Sequence, residues 1–229
     1  DAIYMMAVCH RYLRQFDDAL NCLDQLQQIT PENGRAFQEE GHVYRDNGQV
    51  DQALRAYSLA SRFNPALLAA WREQVQLLAG SGRTNESNRI KSQLNRLSAL
   101  PNILISTMDL IAQGKLLKAE EICRRFLQQV PDHVEAMRLL ADIGMRLGVL
   151  DDAEFLLKSA IDFEPSNIQA RIDYIQALRK RQKFTAALTA AESLLEIAPD
   201  NPQFQSLYAI ENMQTGDYDT AITLFESVL

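Results

Sequence analysis

The sequence predicts an all-α solenoid of about seven helix-turn-helix repeats, and three observations carry that prediction. Alanine recurs at Ala19, Ala53, Ala119, Ala153, Ala187 and Ala221, and proline at Pro31, Pro65, Pro131, Pro165 and Pro199. Nearly every interval is 34 residues, and the single exception, 66, is close to two periods. Between these markers apolar residues return at three- and four-residue steps, the spacing of one helix face. A fixed period of this size means one supersecondary unit stacked on copies of itself. Such a unit cannot bury its apolar face alone, so the chain builds an array rather than a globule around a central pocket.

The clearest copy is 134–167. Met137, Leu140, Ala141 and Gly144 form one helical stripe. Gly148 interrupts it, as a residue free to take positive φ would. Asp151 and Asp152 open a second helix, where negative charge favours the N-terminus. Ala153, Leu156, Leu157 and Ala160 are its buried stripe, and Pro165 ends the unit because proline cannot continue a helix.

Taken in order, the repeats span 1–33, 34–67, 68–99, 100–133, 134–167, 168–201 and an incomplete 202–229. The first is marked by Phe16, Ala19, Leu23 and Pro31. The second carries Gly41, Tyr44, Gly48, Ala53, Tyr57, Ala60 and Pro65. The fourth carries Leu110, Gly114, Leu116, Ala119, Phe126 and Pro131. The sixth has Phe184, Ala187, Leu194 and Pro199; the seventh has Gly216, Tyr218, Ala221 and Phe225. The third is degenerate: Ser87 replaces the alanine, and Gly82 to Gly114 spans 32 residues. Residues 84–101 are therefore expected to be the softest junction, through repeat divergence or as a hinge between two blocks. The recurring small residues let the paired backbones approach, since a larger side chain there would overpack the contact. Tyr44, Tyr57, Phe126, Phe184 and Tyr218 are expected to fill the gaps between helices.

Composition narrows the function classes. The net charge of −7 argues against nucleic acid, although a local basic patch on an acidic chain remains compatible with it. No apolar run is long enough to span a bilayer. Cys9, Cys22 and Cys123 show no CxxC spacing and read as small core residues of a protein from a reducing compartment, hence cytoplasmic. The chain begins at Asp1 within a repeat and stops within a helix, which reads as a fragment of a longer polypeptide.

These spacings resemble the tetratricopeptide repeat over essentially the whole chain. The resemblance implies a right-handed superhelix in which the first helix of each pair lines a concave groove for peptides or partner helices. A narrower resemblance lies in AEEICRRFLQQVPDHVEAMRLLADIGMRLGVLDDAEFLLKSA (119–160), RIDYIQALRKRQKFTAAL and FQSLYAIENMQTGDYDTAI. These stretches are similar to the N-terminal repeats of bacterial tetratricopeptide-containing sulfotransferases. That family implies a following catalytic domain using the sulfate donor PAPS, whose strand, Gly-rich loop and helix do not occur in these residues. The chain itself is expected to be non-catalytic and to need no cofactor or metal.

The remaining chemistry is sparse. Gly80-Ser81-Gly82-Arg83-Thr84 imitates a phosphate loop but follows a helix and falls on the repeat's own turn. His10, His42 and His133 have no partner at ligand spacing. Asp17-Asp18 and Asp151-Asp152 fit helix capping and dipole complementarity. The groove is the candidate site. Its inward positions are expected to include Arg11, Arg35, Gln38, His42, Arg45, Arg72, Gln76, Leu104, Ile105, Met108, Arg138, Asp142, Arg146, Gln176 and Arg179. The arginines would hold carboxylates or sulfated or acidic segments in forked hydrogen bonds. Leu104, Ile105, Met108 and Ile111 would seat an apolar anchor. Against this, Glu39, Asp46, Glu73, Glu135, Asp142 and Asp173 share the face and would give internal ion pairs. The inward row contains no Asn, so the Lys/Asn clamp of chaperone-tail binders is not expected. Ile222, Leu224, Phe225 and Val228 lack a capping partner and point to self-association.

Overall fold

The computed structural model describes residues 2–228, which contain fourteen α-helices and no strand. The predicted repeats each resolve into a helix pair: α1 (Ala2–Tyr12) and α2 (Phe16–Ile29), α3 (Gly34–Asp46) and α4 (Val50–Phe63), α5 (Leu68–Gly80) and α6 (Thr84–Ser98). Next come α7 (Asn102–Ala112) and α8 (Leu116–Gln129), then α9 (Val134–Leu147) and α10 (Leu150–Phe163). The last pairs are α11 (Ile168–Lys180) with α12 (Phe184–Ile197) and α13 (Pro202–Thr215) with α14 (Tyr218–Ser227). The chain divides into two compact units, residues 1–119 and 120–229, with the division inside α8.

One turn is built seven times between first and second helices. The residue after the last helical turn is left-handed: Arg14, Gly48, Gly82, Gly114, Gly148, Gln182 and Gly216 have φ of 60–92°. The next amide donates to the carbonyl five residues back at 2.8–2.9 Å in all seven, from Gln15 to His10 through Asp217 to Asn212. This six-to-one bond satisfies a carbonyl that the helix end would otherwise leave open. Glycine meets the turn without a steric cost, whereas Arg14 and Gln182 do not.

The periodic alanines sit where the paired backbones meet, and all six are buried. Ser87 is buried at the same place, and its hydroxyl donates to the Val75 carbonyl at 3.1 Å, so the polar group costs little there. Gly41 shows how close the approach is. A Cβ on it would lie 2.6 Å from the Tyr57 ring, which is fully buried among Ala53, Ala60 and Ala70. The aromatics are not uniformly interior: Tyr218 is 62% exposed.

Within the first unit α7 departs from regular stacking. First helices of an array run parallel, so their last and first turns lie on opposite edges. Here Asp109, in the last turn of α7, accepts from Arg35 Nη2 (3.0 Å) in the first turn of α3 and from Asn64 Nδ2 (2.8 Å) at the end of α4. Residues 112–115 and the 30–35 turn face each other across a cleft of about 750 Å³. An eleven-residue helix is about 16 Å long. That length carries α7 from the end of α6 back along the edge where α2 and α4 end. The degenerate stretch 84–101 is thus helical through Ser98, and the change of direction falls at 99–101.

Candidate functional site

The first-helix face of the first unit is dominated by an ion-pair ladder. Arg11 donates to Glu39 (2.5 Å) and Asp46 (3.1 Å). Arg45 bonds the other side of Asp46 (2.8 Å) and Glu73 (2.7 Å). The ladder joins α1, α3 and α5. Burial penalises the Arg11 charge, but its bonds to Glu39 and Asp46 outweigh that and raise its pKa. Burial likewise pushes Asp46 up, and Arg45 and Arg11 outweigh it and hold the carboxyl below its usual range. These two arginines, expected to receive a ligand's carboxylate, are already neutralised by the fold.

His42 is half-buried behind the ladder and shares a 2.7 Å hydrogen bond between Nδ1 and the Tyr57 hydroxyl. Desolvation lowers its pKa. Gln38 Oε1 is buried without a donor. Arg72 and Gln76 on α5 are exposed, and Arg72 has no ion pair among the described residues. Arg35 is spent on Asp109.

The expected apolar anchor is corrected by the structure. Leu104 is 0% exposed and Ile111 is buried, because the edge-lying α7 turns them inward. Ile105 and Met108 are half-buried. The four do not form an open patch.

In the second unit Arg138 bonds Asp173 (2.7 Å) and Glu135, and Arg146 bonds Asp142 (3.0 Å) on its own helix. Arg179 Nε donates to Glu211 Oε1 at 2.9 Å. Glu211 is 0% exposed and its Oε2 has no partner. Gln176 is exposed. Four arginines expected to be ligand-facing, Arg11, Arg45, Arg138 and Arg179, therefore bridge neighbouring first helices.

The Gly80–Thr84 stretch is the third repeat's turn, with Gly82 left-handed and Thr84 opening α6. Asp17, Asp18, Asp151 and Asp152 lie in first turns, where the dipole favours them, but no side-chain cap closes α2 or α10. Cys22 and Cys123 are buried, and burial pushes the Cys123 thiol up to about 12. Cys9 is exposed, against expectation, whereas its counterpart one period on, Val43, is buried in one cluster with Ala7, Ala19 and Cys22 of the first helix pair.

Models of the tetratricopeptide repeat match residues 1–32, 110–162 and 145–210, together more than half of the chain. The chain is built of tetratricopeptide repeats. A tetratricopeptide repeat protein from Parabacteroides merdae is similar in fold, with a TM-score of 0.50, 15% identity and coverage of 100% of this chain and 93% of that one. MamA matches at TM-score 0.48 and 17% identity, over 87% of this chain and 92% of that one. A chain of the APC/C hetero-tetramer Cut9–Hcn1 matches at 0.49 and 16%, and this chain spans 46% of its length. No curated protein sequence matches the chain. A tetratricopeptide-repeat fold is in general a non-catalytic scaffold for protein–protein interaction. No helix among the described residues is long and apolar enough to cross a membrane.

Proposed function

We propose that the chain binds polypeptide on the first-helix face of its repeats. The observation that supports this most is the division of labour on that face. The bridging arginines hold neighbouring first helices together, which leaves Arg72 and Gln76 in the first unit and Gln176 in the second as exposed polar contacts. A photo-reactive residue at Gln76 or Gln176 should crosslink a polypeptide that the same residue at Lys158, on a second helix, does not. Equal capture at Lys158 would refute the reading.

The finer proposal is that this binding positions substrates for a sulfotransferase domain using PAPS, in the cytoplasm of a bacterium. Its support is the likeness of residues 119–160, 171–188 and 204–222 to that family's repeats and the unpaired cysteines. PAPS-dependent sulfate transfer by the protein encoded by the complete gene tests it, and an encoded protein without that activity would leave an assembly scaffold.

Self-association is a second reading, favoured by a specific observation. Met5 and Met6 on α1 are 56% and 52% exposed, yet one period on Glu39 is buried and Glu40 accepts from Gln27 of α2. At α14, Ile222 is 56% exposed although its counterpart Leu54 is buried. Dilution-dependent light scattering that Ile222→Glu abolishes would establish it; a monomer at all concentrations would exclude it.

A further inference from the structure

The chain is acidic, but its charge is not evenly placed. Between residues 51 and 98 there are seven Arg and Lys against three Asp and Glu, whereas the whole chain has 23 against 30. Four of these cations obey the repeat. Arg55 and Arg62 stand on α4, and Arg89 and Arg96 stand one period later on α6. Residues seven apart share a helix face about 10 Å apart, so the four form a two-by-two grid on the second-helix side. All four are exposed, and none has an ion pair among the described residues. The counterparts in other repeats are Asn21 and Gln28, Glu121 and Gln128, Phe155 and Asp162, and Thr189 and Glu196. The grid is therefore particular to the second and third repeats and is not a demand of the fold.

A cleft of about 660 Å³ runs between α4 and α6 at the Arg55–Arg89 row of this grid. Arg55 and Arg89 stand on its two walls, and Leu54, Leu78 and Ile90 line its floor. The acidic residues on the rim are already engaged: Arg83 bonds Glu86 at 2.6 Å and lies 3.7 Å from Asp51. The lining thus holds three arginines against two carboxylates, and Arg55 and Arg89 make no ion pair of their own beside the apolar side chains of the floor.

We propose that this cleft docks an acidic peptide segment in which carboxylates flank an apolar side chain. Guanidinium forks match carboxylates, and the apolar floor takes the side chain between them. A nucleic acid would use the charge but not the floor, and the eleven excess negative charges elsewhere, 16 Arg and Lys against 27 Asp and Glu, would oppose a long polyanion. The site lies on the opposite helices from the proposed first-helix face and stands independently of it.

The test is fluorescence anisotropy of the whole chain with a fluorescein-labelled peptide of repeated Glu-Glu-Leu. Binding is expected to weaken as NaCl rises from about 50 to about 300 mM. Arg55→Glu/Arg89→Glu should weaken it at least about tenfold, while the charge-matched Lys118→Glu/Lys158→Glu should change it less than about twofold. All four positions are exposed, so the variants should keep wild-type circular dichroism. A Glu-Glu-Ser peptide should bind more weakly than Glu-Glu-Leu. The proposal is overturned by no binding up to about 1 mM, by equal loss in both double variants, or by equal affinity for the Ser peptide. Preferential binding of a single-stranded dT oligonucleotide that Arg55→Glu/Arg89→Glu abolishes would overturn the assignment to a peptide.

Discussion

Gly41→Ala is the sharpest test of how these helix pairs are held. The added Cβ would meet Tyr57 Cδ1 and Cε1 at 2.6 Å and Cγ at 2.9 Å. Unstrained carbon contacts begin near 3.5 Å, so the ring must retreat by about 0.9 Å. It has little room. Tyr57 is fully buried among Ala53, Ala60 and Ala70, and its hydroxyl is tied to His42. Overpacking of this kind costs about 1–3 kcal/mol. It opposes the gain of up to about 1 kcal/mol that replacing a helical glycine by alanine normally brings. Gly80→Ala isolates the second effect, because nothing lies within 4 Å of a Cβ there. Trp71, the single tryptophan, lies on α5 with its indole N–H bonded to the Pro65 carbonyl, so its fluorescence follows unfolding of the first unit. In urea, Gly41→Ala should unfold earlier than wild type and Gly80→Ala no earlier. Tyr57→Leu should relieve much of the Gly41→Ala cost in the double variant. A Gly41→Ala midpoint at or above that of Gly80→Ala would refute the reasoning.

Four further outcomes follow from the same geometry. Gln182→Gly, which removes a non-glycine residue at φ 60°, should stabilise the second unit by about 1 kcal/mol in a circular-dichroism melt. Arg179→Met should destabilise by about 3 kcal/mol because it strands the buried Glu211, and Arg179→Met/Glu211→Met should recover most of the loss. Asp109→Ala leaves the buried Asn64 amide without its acceptor; it should cost about 1–2 kcal/mol and speed hydrogen exchange in α7. His42 has a folded pKa below its unfolded value, so the unfolded chain binds more protons as pH falls below about 6.5. Stability should therefore fall from pH 7 to pH 5 by an amount that His42→Gln removes, read as the difference between the two melting curves.

The repeat register was legible because alanine, proline and glycine answer to backbone constraints that recur with each copy. The turns at Arg14 and Gln182 were not, since neither side chain signals positive φ and the surrounding helix pair imposes it. Ser87 read as a weakness, yet its hydroxyl bond to Val75 makes it an adequate substitute for alanine. The bridging arginines carried a readable sign: Arg11–Glu39 and Arg45–Glu73 are the same 28-residue step, repeated one period apart. The path of α7 carried little. Asp109 meets Arg35 across 74 residues, and only the two missing residues of the period hinted that this helix would differ.

The most direct test of the account compares Arg45→Glu with Arg72→Glu, measuring stability and crosslinking from position 76 on the same samples. Arg45 belongs to the ladder and Arg72 to the exposed contact surface. The account predicts that Arg45→Glu lowers the urea midpoint, whereas Arg72→Glu keeps the midpoint and loses the crosslinked polypeptide. Unchanged stability for Arg45→Glu, or undiminished crosslinking for Arg72→Glu, would contradict it.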